Sequence, residues 1–123
     1  MSMIDPVTLA LVKSALDAGA LRQVAHANNI ANANTPGFKP FAVSFEEGLG
    51  AVREALASGH GAQIAPADIP AARLFTDAGA SAAPSLDTEV AAATGNALHY
   101  QALARALGQE YALMNLAMTG GSK

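Results

Sequence analysis

The apolar residues at both ends of the chain recur in alternating steps of three and four, the spacing of one helix face. In the first segment, residues 5–33, this line includes Leu9, Val12, Leu16 and Ile30. In the last segment, residues 86–119, it includes Val90, Tyr100, Leu107, Tyr111 and Met114. The pattern predicts a long helix at each end, with two apolar seams that bury each other when the helices pair.

Signals for the helix ends stand beside these periodic stretches. Asp5 is a suitable N-cap residue, and Pro6 fits the first helical position, where its missing N–H is no loss. Pro36 and Gly37 suit the two central positions of a type II turn, in which Gly37 has positive φ. We therefore expect a first helix that ends before a sharp turn, followed by an extended segment within residues 34–43.

The middle of the chain gives weaker signals. Ser44 and Glu47 have the spacing of a capping box, which predicts a short helix over residues 44–58. Residues 59–85 are rich in Ala, Gly and Pro and predict a flexible loop. The whole chain, 1–123, then forms one all-α domain. Its two long terminal helices pair as an antiparallel, coiled-coil-like core, joined by the short helix and an irregular, extended middle loop.

Composition limits how stable one copy can be. Thirty of the 123 residues are alanine, 5% are aromatic and 14% are charged, against about 25% charged in an average domain. Small side chains bury little apolar area to offset the backbone entropy lost on folding. The chain is therefore expected to be partly disordered alone or to gain stability from neighbouring chains.

Charge and residue inventory exclude several functions. A net charge of −3 and a pI near 5.4 argue against nucleic-acid binding. The three histidines lack metal-helix spacing and an evident carboxylate partner, and there is no cysteine. No serine lies in a nucleophile elbow, and no glycine-rich stretch matches a phosphate loop. We expect no catalytic residue, cofactor, metal or small-molecule substrate. The N-terminus lacks a basic region, so no ordinary secretory signal peptide is expected.

Residues 28–39, NNIANANTPGFK, are called the asparagine segment below. Asparagine is a poor helix former because its side chain competes for backbone hydrogen bonds. A fraying helix end and a turn explain Asn32 and Asn34, but they explain Asn28 and Asn29 less well. Carboxamides within a helix can donate and accept across a contact, so these residues favour a role in protein association.

The asparagine segment resembles the N-terminal signature shared by bacterial flagellar rod and hook proteins. Residues 41–50, FAVSFEEGLG, resemble the Phe-Glu-Glu-x-Leu segment that follows it in proximal rod proteins of the FlgB type. Residues 86–120 are similar to the C-terminal helix of that family, above all around Glu89, Asn96 and Tyr100. The short length also fits this subtype. The Asp-Gly-Asn turn often found before that helix is absent, and residues 82–85 read Ala-Ala-Pro-Ser instead.

The resemblance implies a structural subunit of the basal-body rod rather than an enzyme. Such subunits self-assemble with other rod subunits into the helical drive shaft, which crosses the periplasm, transmits torque and encloses the export channel. They leave the cell through the flagellar export gate without a cleaved signal peptide, and the proximal type neighbours the MS ring and a FliE-type adaptor. The contact residues that it implies are Asn28, Asn29, Ile30, Asn32, Thr35, Pro36, Gly37 and Phe38.

Phe41, Phe45 and Leu49 match the Phe-x-x-x-hydrophobic pattern linked to export-gate recognition of rod and hook proteins. A packed amphipathic turn gives the same string, so both interpretations stay open. Two other functions also fit the sequence: another short rod subunit of the FlgC type, and a soluble helical adaptor or binding module. An adaptor should fold as a monomer or dimer, whereas a rod subunit should become ordered on polymerisation.

Overall fold

The computed structural model describes residues 5–81 and 84–120. Three helices and two short strands follow one another in the order α1 Pro6–Ala31, β1 Phe41–Ser44, α2 Gly50–Ala57, β2 Arg73–Thr76 and α3 Leu86–Gly120. Single-turn 3-10 helices lie at Glu46–Leu49, Gly61–Gln63 and Pro66–Asp68. The chain is mostly helical but not all-α, so the predicted fold class is corrected by a two-stranded sheet.

Both ends of α1 follow from local sequence. The Asp5 carboxylate accepts a hydrogen bond from the Thr8 N–H at 2.9 Å, and Pro6 is the first helical residue. The helix ends at Ala31, two residues before the predicted end. The predicted turn is confirmed, because the Phe38 N–H donates to the Thr35 carbonyl at 3.2 Å and Gly37 has φ +73°.

The long helices α1 and α3 pack against each other in opposite directions. Glu89, near the start of α3, contacts Asn29 near the end of α1. One heptad further along α3, the Asn96 side chain donates to the carbonyl of Gly19 at 2.9 Å. Contacts therefore move back along α1 as they advance along α3, and the two helices lie antiparallel.

The covered face of α3 is rotated from the predicted seam. Val90, Tyr100 and Tyr111 are 38 to 46% exposed, so the burial expected of them within one chain is not observed. Leu107 and Met114 are half-buried, as are Leu9, Val12, Leu16 and Ile30 in α1. A second line of residues on α3, spaced seven apart, is also buried or half-buried: Glu89, Asn96, Leu103 and Glu110. The hydrogen bonds of Glu89 and Asn96 to α1 explain the rotation. The spacing of apolar residues cannot predict hydrogen bonds between polar side chains.

The sheet joins two segments that the sequence pattern leaves without regular structure. β1 and β2 are antiparallel, with Phe41 opposite Thr76 and Ser44 opposite Arg73. The pairing continues beyond β1, where the Asp77 N–H donates to the Pro40 carbonyl at 2.8 Å. β-Branched and aromatic residues favour extended backbone in both segments. Their partners lie far apart in the chain, so local pattern alone could not predict the pairing.

The predicted capping box at Ser44 is wrong, because Ser44 lies inside β1 and pairs with Arg73. The residue that precedes the first helical turn is Phe45, whose N–H donates to the Glu47 carboxylate at 3.2 Å. Glu47 thus caps the turn as expected, but the N-cap residue is Phe45 rather than Ser44. The turn is a 3-10 helix that leads into α2, so the α-helical part of the predicted short helix is reduced to Gly50–Ala57.

Residues 59–81 carry short elements that pack back onto the chain. Ile69 is buried, together with Phe45 and Val52. Gly48 lets this segment approach, because a Cβ at Gly48 would lie 2.7 Å from the Cβ of Pro70. Ala82 and Ala83, in the sequence that replaces the Asp-Gly-Asn turn, lie outside the described residues.

Candidate functional site in the asparagine segment

Asn29 joins three elements at the end of α1. Its Oδ1 accepts the N–H of Phe41 at 2.8 Å, and its Nδ2 donates to the Phe41 carbonyl at 3.0 Å. The same Nδ2 donates to Oε1 of Glu89 at 2.9 Å. Asn29 is 6% exposed, so its carboxamide is used inside the chain and pairs with β1 as a neighbouring strand would.

Glu89 is the buried acceptor at the centre of this arrangement. It lies in the first turn of α3, where a negative charge is favoured, and it is 5% exposed. Its Oε1 also lies 2.7 Å from Nδ1 of His26. A buried carboxylate is stabilised when hydrogen-bond donors replace the lost water. Asn29 and His26, both from α1, supply those donors.

The histidine expectation is corrected by this contact. The sequence shows no evident carboxylate partner for His26, yet Glu89 lies 63 positions away in the chain and against it in space. The first-turn position of Glu89 is visible in the sequence, but a first-turn glutamate usually faces solvent. The heptad separation of Glu89 and Asn96, on one face of α3, is the signal that could have indicated its burial.

The other polar residues of the asparagine segment bond locally. The Asn28 side chain donates to the Val24 carbonyl, and that of Asn32 donates to the Asn28 carbonyl, each at 2.9 Å. The Thr35 hydroxyl donates to Oδ1 of Asn32 at 3.1 Å. These bonds finish the helix and lead into the turn. Asn28 and Thr35 are exposed, and Ile30 and Asn32 are half-buried.

The turn presents backbone rather than a closed side-chain cluster. Pro36 and Gly37 are exposed, whereas Phe38 is half-buried. The ring of Phe38 is tilted by 55° to that of Phe41, with their centroids 6.1 Å apart. The asparagine segment therefore has two faces: Asn29 points inward, while Asn28, Thr35, Pro36 and Gly37 remain available to another molecule.

The segment with the Phe-x-x-x-hydrophobic pattern continues from this site. Phe41 lies in β1, Phe45 follows the strand, and Leu49 ends the first 3-10 helix. Phe45 is 6% exposed, and the other two are half-buried. The three side chains contribute to packing in the folded chain, which agrees with the amphipathic-turn interpretation. Arg22 of α1 forms an ion pair with Glu46 beside them.

Two carboxylates at helix starts have a lowered pKa. The pKa of Asp5 is lowered chiefly by the N–H of Thr8 and then by the Thr8 hydroxyl, both of which donate to the ionised form. The pKa of Asp87 is lowered chiefly by the Ser85 hydroxyl and then by the N–H of Thr88. Both groups are fully exposed: Asp5 is the N-cap of α1, and Asp87 lies in the first turn of α3.

The described residues contain no group of three or more His, Cys, Asp or Glu side chains placed to hold a metal ion. Across residues 5–81 and 84–120, no helix has both the length and the apolar character needed to cross a membrane.

Comparison with known proteins identifies the segment that carries this site. Residues 12–39 match the family model for flagella basal body rod proteins. No curated protein and no solved structure matches the chain. The matched range begins at the seventh residue of α1, continues through Asn29 and the Gly37 turn, and includes the entire asparagine segment. Over these residues the chain is therefore similar to flagella basal body rod proteins.

Proposed function

We propose that the chain is a proximal rod subunit of the FlgB type. Many copies assemble with other rod subunits into the helical shaft that transmits torque and encloses the export channel. The outward-facing residues Asn28, Thr35, Pro36 and Gly37 form one contact in that assembly, and the apolar seams of α1 and α3 form another. Ile30, Asn32 and Phe38 support the contact from half-buried positions.

The observation that carries this proposal is the exposed apolar surface of α3. Leu98, Leu113, Leu116 and Met118 are 54 to 72% exposed. No described side chain of large volume is fully buried, and the buried apolar residues include Ala18 and Ala25. One copy thus leaves much of its apolar area in water. Contact with further copies would bury that area and stabilise the assembly by about 25 cal/mol for each Å² of apolar surface removed from water. A head-to-tail contact that does not close into a ring yields a filament.

The proximal subtype is supported by the small size of the sheet. β1 and β2 contain four residues each, and they are the only strands among the described residues. Other rod and hook proteins resembling this chain generally insert a larger β domain between the terminal helices. A short rod subunit of the FlgC type is the nearest alternative, and the lack of an aromatic-rich insertion after the turn argues against it.

Location and partners follow from the proposed subtype. The subunit is exported without a cleaved signal peptide and occupies the periplasmic part of the basal body, next to the MS ring and a FliE-type adaptor. Phe41, Phe45 and Leu49 would be read by the export gate in the unfolded chain, because Phe45 is buried once the chain folds. Export of a thinly packed subunit needs little work to unfold it.

A map of isolated basal bodies from the host bacterium, with this chain carrying a small tag, tests the proposal. The expected result is density for α1 and α3 in the part of the rod next to the MS ring. Density further out would favour the FlgC-type alternative. Sedimentation and circular dichroism of the purified chain test the adaptor alternative. A cooperative, high-temperature melt of a monomer or dimer at micromolar concentration would favour the adaptor over the rod subunit.

A further inference from the structure

We propose that Glu89 is a positioning residue: it stabilises the orientation of the Asn29 carboxamide and thereby holds the two-stranded sheet of β1 and β2 on the helix pair. Asn29 then acts as an internal latch rather than as a contact between subunits. This role of Glu89 within one chain does not depend on the proposed function, whereas its effect on rod assembly rests on the proposed function.

A carboxamide has two orientations that differ by a half-turn and exchange its donor and acceptor. An ionised carboxylate only accepts hydrogen bonds. With Glu89 Oε1 at 2.9 Å, the Nδ2 group must face Glu89, since the other orientation would place Oδ1 against a carboxylate oxygen. The second hydrogen of Nδ2 and the Oδ1 atom are then directed to the carbonyl and the N–H of Phe41. Glu89 thus stabilises the same orientation of the Asn29 carboxamide that the carbonyl and N–H of Phe41 require.

Glu89 is itself held from α1. Nδ1 of His26 lies 2.7 Å from the same Oε1, and the carboxylate is almost completely buried. Two other charged residues, Arg22 and Asp77, line the groove around the latch. Arg22 is already paired with Glu46. His26 therefore holds Glu89, Glu89 orients Asn29, and Asn29 holds the backbone of Phe41.

The bonded edge of Phe41 is the one that β2 leaves open. The Pro40 carbonyl accepts the N–H of Asp77, so it faces β2. Successive residues of a strand direct their backbone groups to opposite edges, and those of Phe41 therefore face away from β2. Asn29 occupies that free edge. Without it, β1 would lose both hydrogen bonds that Asn29 supplies, and the position of the two-stranded sheet on the helices would depend on side-chain packing.

The first test compares variants at both ends of the latch in assembled basal bodies, by hydrogen–deuterium exchange of the peptide that contains Phe41. Glu89→Ala and Asn29→Ala are each expected to raise the exchange rate of the Phe41 amide by about tenfold, as loss of a buried hydrogen bond implies. Glu110→Ala is the matched control on the same helix and should leave this rate unchanged. Wild-type exchange in the Glu89 variant would overturn the proposal.

A swapped pair separates positioning from simple loss of folding. Asn29→Asp places two carboxylates together and should abolish incorporation of the chain into basal bodies. Adding Glu89→Gln supplies a donor to the new carboxylate at position 29, which still accepts the Phe41 N–H but loses the bond to the Phe41 carbonyl. The double variant should therefore regain part of the incorporation, and its Phe41 amide should exchange about tenfold more slowly than in Asn29→Asp. A double variant no better than Asn29→Asp would refute the latch.

These outcomes are distinguishable from failure of the proposed function. A tagged wild-type chain that enters the rod away from the MS ring would refute the proximal assignment, while the variant series would still test the latch there. If the chain enters no rod at all, the same exchange comparison on its folded free form decides the latch alone.

Discussion

The ring of Tyr100 lies so close to Gly19 that a Cβ added to the glycine would stand 2.9 Å from the Cδ2 atom of the ring. This is the tightest approach between α1 and α3 at any glycine of the two helices in the described residues. Asn96 donates to the carbonyl of the same glycine, so the backbone of α1 is held against α3 by a polar bond and an aromatic ring together.

Gly19→Ala is expected to lower the stability of the helix pair despite the higher helix propensity of alanine. Moving the Tyr100 ring out of its site typically costs about 1–3 kcal/mol, which exceeds the gain of about 1 kcal/mol from replacing glycine. The measurement is urea unfolding followed by ellipticity at 222 nm. Gly108→Ala is the matched control, because nothing lies within 4 Å of its added Cβ, and it should be stabilising. Equal stabilisation by both substitutions would contradict the close contact.

The two long helices are predictable because their signals are local. The Asp5–Pro6 start and the positive φ at Gly37 each depend on neighbouring residues, and both agree with the structure. The sheet escapes prediction because Phe41 pairs with Thr76, and no short window contains both. The capping role predicted for Ser44 fails for the same reason, since its pairing with Arg73 across the sheet outweighs its local capping preference.

The buried end of the candidate site shows a second limit of sequence pattern. The sequence predicts that Asn29 bonds across a contact, but it does not identify the acceptor, because Glu89 is 60 positions away. The spacing of apolar residues predicts which hydrophobic side chains are buried, but it does not predict which polar groups pair. The contact face of α3 therefore includes Glu89 rather than the predicted Val90.

Gly37→Val is expected to reduce basal-body yield and motility more than secretion of the chain. Nothing lies within 4 Å of an added Cβ, so the effect comes only from φ +73°, which a β-branched residue resists. Gly37→Asn should be tolerated better, because asparagine enters this region at lower energy. Swimming assays with secreted-protein blots make the comparison. Unchanged motility with valine would mean that the turn has no part in assembly.

Acid should weaken the starts of α1 and α3. The folded-state pKa values of Asp5 and Asp87 lie below the ordinary value of 3.8, so the two ionised carboxylates stabilise the fold above that pH. That contribution is lost as pH falls from 3.8 through the folded-state pKa values. Carbon-detected NMR titration of the two carboxyls checks the direction. Asp5→Asn keeps an N-cap acceptor but removes the titration, so α1 in this variant should lose less helicity on acidification. An equal acid loss in both proteins would argue against the Asp5 cap.

Leu98→Gln is expected to separate folding from assembly. Leu98 is largely exposed on α3, so a polar replacement removes little packing within one copy and should change the ellipticity of the isolated chain only slightly. In a rod, the same position would be covered by a neighbouring subunit, where a buried, unpaired carboxamide costs about 1–3 kcal/mol at each contact. Many repeated contacts multiply this effect, so rods should fail to form while secretion continues. Gln109→Ala on the same exposed face is the control, since it introduces no polar group. Normal rods with Leu98→Gln would show that this face of α3 stays in water after assembly.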